Sequence, residues 1–376
     1  MKQKLLLVIT KSNWGGAQKY VYDIATSSTV QAEYDIEVVV GSNSELARKL
    51  RDRQVVVHNA STLSNSIKPI ELFFSVLELI SIIRETKPDI IHTNSSFAGI
   101  AMGIAAFILR KKSVFTIHGW AFNEKRTTQQ KVVLKVAMFC TMLFHTRIIA
   151  VSRAVLSQFP GTLRMRRKAT VVHNGVSTQV YSNFNTVVPE WKKTGVQLVS
   201  IGELHTTKNH ALAIKAIESF SKEFIEKYNV TYHIIGEGAE RKHIEARIEK
   251  SHLKNRIYMY GALPNASQYM PSFDICILSS ISEAFCYVVV EAGRAGLPVI
   301  ATRVGGVPEI IKDDVSGLLV RSKSIEEMAK AMQDLIVHKT KRIKLAAALK
   351  ARVQKEFSVE QMIEGTMKVY AKLGEK

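Results

Sequence analysis

A chain of 376 residues with 46% hydrophobic content and only 8 prolines has enough apolar mass for two globular cores, which excludes an extended disordered protein. Its three cysteines, Cys140, Cys276 and Cys286, form no CxxC pair and no metal-ligand spacing; this excludes a disulfide framework and points to a reducing, cytoplasmic setting. The formal charge of +19 favours an anionic partner, and thirteen Lys or Arg against only Glu124 and Glu190 concentrate it in residues 101–190.

The opening MKQKLLLVITK has an apolar run of only Leu5 to Ile9 and no small-residue cleavage site, so it reads as a buried first strand rather than a leader. KSNWGGAQKYVYDIA follows and sets Gly15 and Gly16 at a strand-to-helix turn, where backbone can approach a ligand and helix N–H groups can face it. Taken alone, such a pair is usually only a turn. Strand-like runs recur at DIEVVV, QVVVH, DIIHT, SVFTI, RIIAV and TVVHN. The end of DIIHT carries His92, Thr93, Asn94 and Ser95, and FTIHGW closes a strand on His118 with Gly119 to turn the chain. A lone histidine is more often structural than catalytic, but the carboxyl end of a strand is where a parallel sheet binds its ligand. FAGIAMGIAAFIL and VAMFCTMLF are well short of the roughly 20 residues of a spanning helix, so the chain reads as soluble or peripheral.

Residues 174–195 are polar, aperiodic and contain Pro189, and read as the connection between two domains. Beyond them VQLVSIG, VTYHIIG, RIYMYG, DICILS, PVIAT and GLLV alternate with helical stretches. Alternation throughout the chain gives an α/β class, with two doubly wound sheets rather than one large one. VSIGELHTTKNHALAIKA places Glu203 and Lys208 after a strand; the fragment GEG at 236–238 lacks the third glycine of a dinucleotide fingerprint. Glu283 and Glu291 flank an apolar stretch that can open a helix, and eight residues of straight helix would separate the carboxylates by about 12 Å, the reach of a sugar nucleotide from ribose to sugar. Gly293, Gly296 and Pro298 read as breaking that helix before the strand VIAT, and Gly305, Gly306 and Pro308 make a further turn ending at Glu309.

This last segment resembles the donor-site motif of retaining glycosyltransferase family 4. A glutamate, seven residues and a second glutamate are followed by G-x-P-V-x-A, here Gly296 to Ala301, and V-G-G-x-P-E, here Val304 to Glu309. The resemblance covers essentially the whole chain and implies the GT-B architecture, two Rossmann-like domains with a cleft between them. It implies an acceptor-side domain at 1–180, a nucleotide-sugar donor domain at 190–355, and a C-terminal helix at 356–376 that crosses back to the first. The implied activity is retaining transfer of a sugar from a UDP-, GDP- or ADP-linked donor to a glycan or lipid-linked acceptor in surface polysaccharide or lipopolysaccharide assembly. No cofactor or catalytic metal is expected, and the cytoplasmic enzyme would sit peripherally at the inner face of an anionic membrane.

By the same resemblance His118 and Glu283 are the catalytic candidates. Gly15, Gly16, Lys208, Phe285, Cys286, Tyr287, Val288 and Glu291 are the donor-binding candidates, with Asn94 and Ser95 on the acceptor side. The GEG turn and YGALPNASQYM would line the base pocket. One position departs from the pattern: Glu203 stands where the family carries an arginine, and a carboxylate there would repel the donor phosphates. Two rival readings stand beside this one, a GT-B sugar-nucleotide epimerase and a non-catalytic polyanion- or membrane-binding module. Nucleic acid is disfavoured as a partner, since no helix-turn-helix, zinc or ribonucleoprotein signature accompanies the charge. ATPases, zinc hydrolases and serine esterases are excluded because their phosphate loop, paired histidines and nucleophile elbow are missing from the sequence.

Overall fold

Leu5, Leu7 and Ile9 point to one face of the first strand and Leu6 and Val8 to the other, and all five are buried, so this strand sits in a sheet covered on both sides. The computed structural model describes residues 2–63, 68–123, 127–159, 161–191 and 193–373. The chain divides into two units, Met1–Asn174 with Val359–Lys376, and Gly175–Ser358.

The first unit begins with β1 (Gln3–Ile9), α1 (Gly16–Ala25), α2 (Ser28–Glu33), β2 (Tyr34–Val40), α3 (Glu45–Arg51) and β3 (Val56–Asn59). It continues through α4 (Pro69–Thr86), β4 (Ile90–Thr93), α5 (Ser96–Ile108), β5 (Lys112–Ile117), α6 (Thr128–Phe144), β6 (Arg147–Ala150), α7 (Arg153–Ser157), α8 (Leu163–Arg166) and β7 (Ala169–Val171). The seven strands form one parallel sheet in the order β3-β2-β1-β4-β5-β6-β7. Local signals set the helix ends. Lys87 ends α4 in the left-handed conformation just before Pro88, and Thr127 with Gln130 forms a reciprocal capping box that starts α6.

The second unit holds β8 (Gln197–Ile201), α9 (His210–Glu218), α10 (Lys222–Tyr228), β9 (Thr231–Ile235), α11 (Arg241–Glu249), β10 (Ile257–Met259) and β11 (Ile275–Leu278). It closes with α12 (Tyr287–Ala295), β12 (Val299–Thr302), α13 (Val307–Ile310), β13 (Leu318–Val320), α14 (Ile325–Val337) and α15 (Lys339–Glu356). Its parallel sheet has the order β10-β9-β8-β11-β12-β13. Every strand segment read from the sequence is present, and the α/β class with two doubly wound sheets holds.

Two local readings change. Residues 174–195 are not an unanchored connection, because Phe184 is fully buried and sets its ring edge against Trp191, Tyr260, Tyr269 and Phe273. Its amide donates to Ser272 Oγ at 2.9 Å, so the stretch belongs to the second unit from Gly175 on. Gly293 does not break α12. It lies inside that helix, where an added Cβ would meet Leu349 and Val353 of α15 at 2.8 and 2.9 Å, so its role is close helix packing. Gly296, at φ +73, ends the helix.

The final helix, α16 (Val359–Ala371), returns to the first unit, where Met362, Ile363, Val369 and Tyr370 join the core under β1 and α1. Two polar ties hold it there: Tyr370 Oη lies 2.6 Å from His92 Nδ1, and Thr366 Oγ1 lies 3.0 Å from Tyr20 Oη. His92 and His145 are fully enclosed, and burial lowers their pKa values to about 3 and about 4. Each stays neutral when folded, but in the unfolded chain it takes up a proton near pH 6.5. Stability is therefore complete above that pH and falls as pH drops toward the folded values. Thermal melts should lose up to about 1.4 kcal/mol per pH unit for each histidine between pH 6.5 and 5, above the carboxylate range. A flat melting temperature across that window would refute the assignment.

Candidate functional site

In the second unit the sheet reverses its winding between β8 and β11: the chain runs from β8 to β9 on one side and from β11 to β12 on the other. The carboxyl ends of two such strands are the place where an open parallel sheet binds ligands. The loop after β8 carries Glu203 and Lys208, and the loop after β11 carries Ser279, Ser280 and Glu283. They are tied by Ile281 N–H to Thr207 O at 2.7 Å and by Ser279 Oγ to Lys208 O at 3.0 Å. Across this junction Lys208 Nζ lies 2.6 Å from Glu283 Oε1, which also accepts a hydrogen bond from Ser280 Oγ at 2.7 Å. The Lys208 side chain is 27% exposed and that of Glu283 only 8%. Burial alone would lower the Lys208 pKa, but the Glu283 carboxylate outweighs it and holds the ammonium above its usual value. Glu203 is exposed and adds only a minor pull on the same ammonium, so the ion pair of Lys208 runs to Glu283.

Glu283 does not share a helix with Glu291. It lies in the loop four residues before α12, whereas Glu291 is on the helix itself, so the straight-helix separation does not apply. The loop is held by its neighbour after β12: the Gly306 amide donates to Glu283 O at 3.3 Å, and Gly305, at φ +49, runs so close that an added Cβ would fall 1.5 Å from that oxygen. Phe285 and Cys286 are buried at 8% and 2% exposure. Phe285 packs against Tyr287 and Phe357, and burial pushes the Cys286 thiol up, keeping it protonated. The side chains of these two residues are therefore turned away from solvent, next to the positive end of α12 where Tyr287 and Val288 form the first turn. Glu291 is half-buried, and its charge bears on Cys276, whose thiol burial pushes up to about 12, and on Tyr181, whose hydroxyl burial raises. The GEG turn is explained by close approach: an added Cβ on Gly236 would lie 1.9 Å from Gly202 O, and one on Gly238 2.5 Å from Leu204 O.

In the first unit the strand ends gather a second set. His118 follows β5, with Nε2 3.5 Å from Asn94 Oδ1 and its ring edge-on to Tyr20 at 4.8 Å. Burial lowers its pKa to about 3, so the imidazole is neutral. His92 and Thr93 are turned inward: the two nitrogens of His92 meet Tyr370 and Thr116, and Thr93 Oγ1 meets Val114 O and His145. Asn94 is also fully buried, which leaves Ser95 as the partly exposed member of that run, bonded to Thr10 Oγ1 at 2.6 Å. Gly15 precedes α1 with φ −173, an extended conformation open to any residue, and α1 starts at Gly16.

The model for glycosyl transferases group 1 matches residues 183–355, and that for glycosyltransferase family 4 matches residues 14–180. The chain is a family 4-type glycosyltransferase of GT-B fold. An Escherichia coli protein named UDP-Gal:alpha-D-GlcNAc-diphosphoundecaprenol alpha-1,3-galactosyltransferase is 23% identical over 80% of this glycosyltransferase and 79% of its own length. A human protein, one of the subunits of phosphatidylinositol N-acetylglucosaminyltransferase, is 24% identical over 86% of the chain and 66% of its own. The crystal structure of Anabaena HepE in complex with UDP-glucose has the same fold, with a TM-score of 0.83 at 21% identity over 98% of this chain and 99% of that one.

Two residues beside Glu283 and Glu291 in the glycosyltransferase's second unit escape a sequence reading. Ser280, which orients Glu283, sits in the run SSISEAF where nothing separates it from its serine neighbours, and Tyr181 reaches the vicinity of Glu291 only through the folded 174–195 segment. Among the described residues, no helix is long and apolar enough to cross a membrane.

Proposed function

We propose that this glycosyltransferase moves a sugar from a nucleoside diphosphate sugar to a hydroxyl of a glycan or lipid-linked acceptor, with retention of configuration, in cell-surface polysaccharide or lipopolysaccharide assembly. The observation that carries the reading is the Lys208–Glu283 pair at the switch point, beside the N-terminal end of α12. A lysine ammonium and a helix N-terminus suit a diphosphate, and they need no metal to neutralise it. Glu283, oriented by Lys208 and Ser280, accepts hydrogen bonds from sugar hydroxyls in this reading, and Glu291 takes the ribose hydroxyls. The backbone of Phe285, Cys286, Tyr287 and Val288 faces the phosphates.

The first unit's share is His118 by the anomeric carbon and the Gly15–Gly16 turn at the diphosphate. A neutral imidazole there orients a sugar hydroxyl and does not supply charge. Asn94 fixes that ring, and Ser95 is the acceptor-side contact. In a same-face transfer the C1–O bond to phosphate breaks as the acceptor oxygen bonds to C1, and the departing phosphate oxygen takes the acceptor's proton. The names of the bacterial and human relatives, which include an undecaprenol-linked and a phosphatidylinositol acceptor, support a lipid-linked acceptor at a membrane surface.

Glu291→Gln should weaken donor binding by roughly a hundredfold, since one charged hydrogen-bonding pair of contacts to a diol is lost. Calorimetry against UDP-, GDP- and ADP-sugars identifies the donor and measures the loss. Unchanged affinity would remove Glu291 from the donor site.

A further inference from the structure

We propose that the solvent face of α4 and α6, with the C-terminal end of α5, is a docking surface for an anionic lipid bilayer. The inference rests on the lipid-linked acceptor reading above and assigns it a set of residues. Helix α4 has two apolar stripes where a surface helix needs one. Val76, Leu79, Ile82 and Ile83 are buried against the sheet, while Ile70, Phe73, Phe74 and Leu77 are between 46% and 61% exposed. The exposed four are spaced i, i+3, i+4 and i+7, so they lie on a single face of the helix.

The same duplication occurs on α6, where Leu134, Met138 and Met142 are buried and Val132, Val133, Val136 and Leu143 are exposed. Helix α5 packs between α4 and α6 and ends in exposed Phe107 and Ile108, with the Phe107 ring 5.3 Å from that of Phe144 on α6. Scattered apolar residues on a surface are ordinary, but helical stripes repeated on neighbouring elements mark an interaction site.

Charge selects the occupant. On α6, Lys131 and Lys135 border the exposed stripe, with Lys135 Nζ 5.6 Å from the Phe122 ring; Arg110, Lys111 and Lys112 follow the end of α5, where Lys111 donates to Pro88 O; and neither α5 nor α6 contains an acidic residue. On α4, Glu71 pairs with Lys68, and Glu78 accepts from Ser61 and Thr62. Long basic side chains among apolar ones fit the headgroup boundary, where the stems lie with the acyl chains and the charges reach lipid phosphates.

The test is flotation of the full chain with vesicles of phosphatidylcholine alone and with about one-third phosphatidylglycerol, for the native protein, for Phe73→Ser/Phe74→Ser/Leu77→Ser and for Lys131→Gln/Lys135→Gln. The native chain should float with anionic vesicles only, and each variant should bind at least roughly tenfold more weakly. Donor affinity by calorimetry should stay unchanged in both, since all five positions are remote in sequence from the donor candidates and leave the core intact. A native chain that ignores anionic vesicles, or a triple variant that binds them as well, overturns the docking surface. So does a native dimer in solution that the triple variant dissociates, which would make the face a protein interface. If the chain docks as expected but transfers sugar only to water-soluble acceptors, the docking surface stands and the lipid-linked acceptor falls.

Discussion

Gly305→Ala should cut sugar transfer by roughly a hundredfold while leaving both sheets folded. Left-handed backbone at φ +49 costs an alanine about 1 kcal/mol, which alone would be a small effect. The larger effect is steric. An alanine Cβ would fall 1.5 Å from the Glu283 carbonyl oxygen, 2.6 Å from its carbon and 3.3 Å from its nitrogen. All three are backbone atoms, so no side chain can swing aside, and the loop after β11 must move. That movement carries the Glu283 carboxylate away from Lys208 and Ser280, and displacement of a site group by about 1 Å is worth about two orders of magnitude in rate. The measurements are kcat/KM for transfer and circular dichroism on the same sample. Activity within about threefold of the native enzyme, with intact helicity, would mean that the loop adapts without disturbing Glu283.

The glycines after β12 illustrate how far the sequence can be read. Their presence, and the strand on one side of them, are legible from turn chemistry and apolar runs, as are the two parallel sheets. Strands buried on both faces appear as continuous Val, Ile and Leu runs, and each run lies where a strand is found. What the glycines touch is not legible. The motif reads as a turn, and the structure adds that Gly305 and Gly306 brace the loop after β11 at Glu283. For the same reason Gly293 reads wrongly as a helix breaker: its partners, Leu349 and Val353, are more than fifty residues away on α15. The polar stretch 174–195 reads as a bare connection because periodicity gives no weight to single aromatic anchors such as Phe184. Glu283 reads as helical since the apolar run after it has helical spacing, and nothing local says that the loop is clamped until Cys286. Lys208 and Glu283 each stand out in the sequence, but their pairing depends on β8 and β11 being neighbours in the sheet. That adjacency belongs to the topology of the switch point and to no segment of the chain.

The second large effect follows from that pair. Lys208→Met should abolish measurable donor binding and also destabilise the second unit, by about 2 kcal/mol, because Glu283 is left nearly buried with Ser280 as its remaining partner. The figure lies below the usual cost of breaking a fully buried pair because Lys208 retains some contact with water. Pairing and phosphate binding are separable by the double variant Lys208→Met/Glu283→Gln. It removes both charges at similar volume, so most of the lost stability should return, whereas donor affinity should not, since no ammonium is left for the diphosphate. Melting curves read the first quantity and calorimetry with the donor the second. If the double variant regains donor affinity together with stability, Lys208 serves only to hold Glu283, and the phosphate charge is met elsewhere. If the single variant keeps native affinity, the switch-point pair has no part in donor binding. The expected split between the two readouts is the signature of a cation that serves a carboxylate before the donor binds and a diphosphate afterwards.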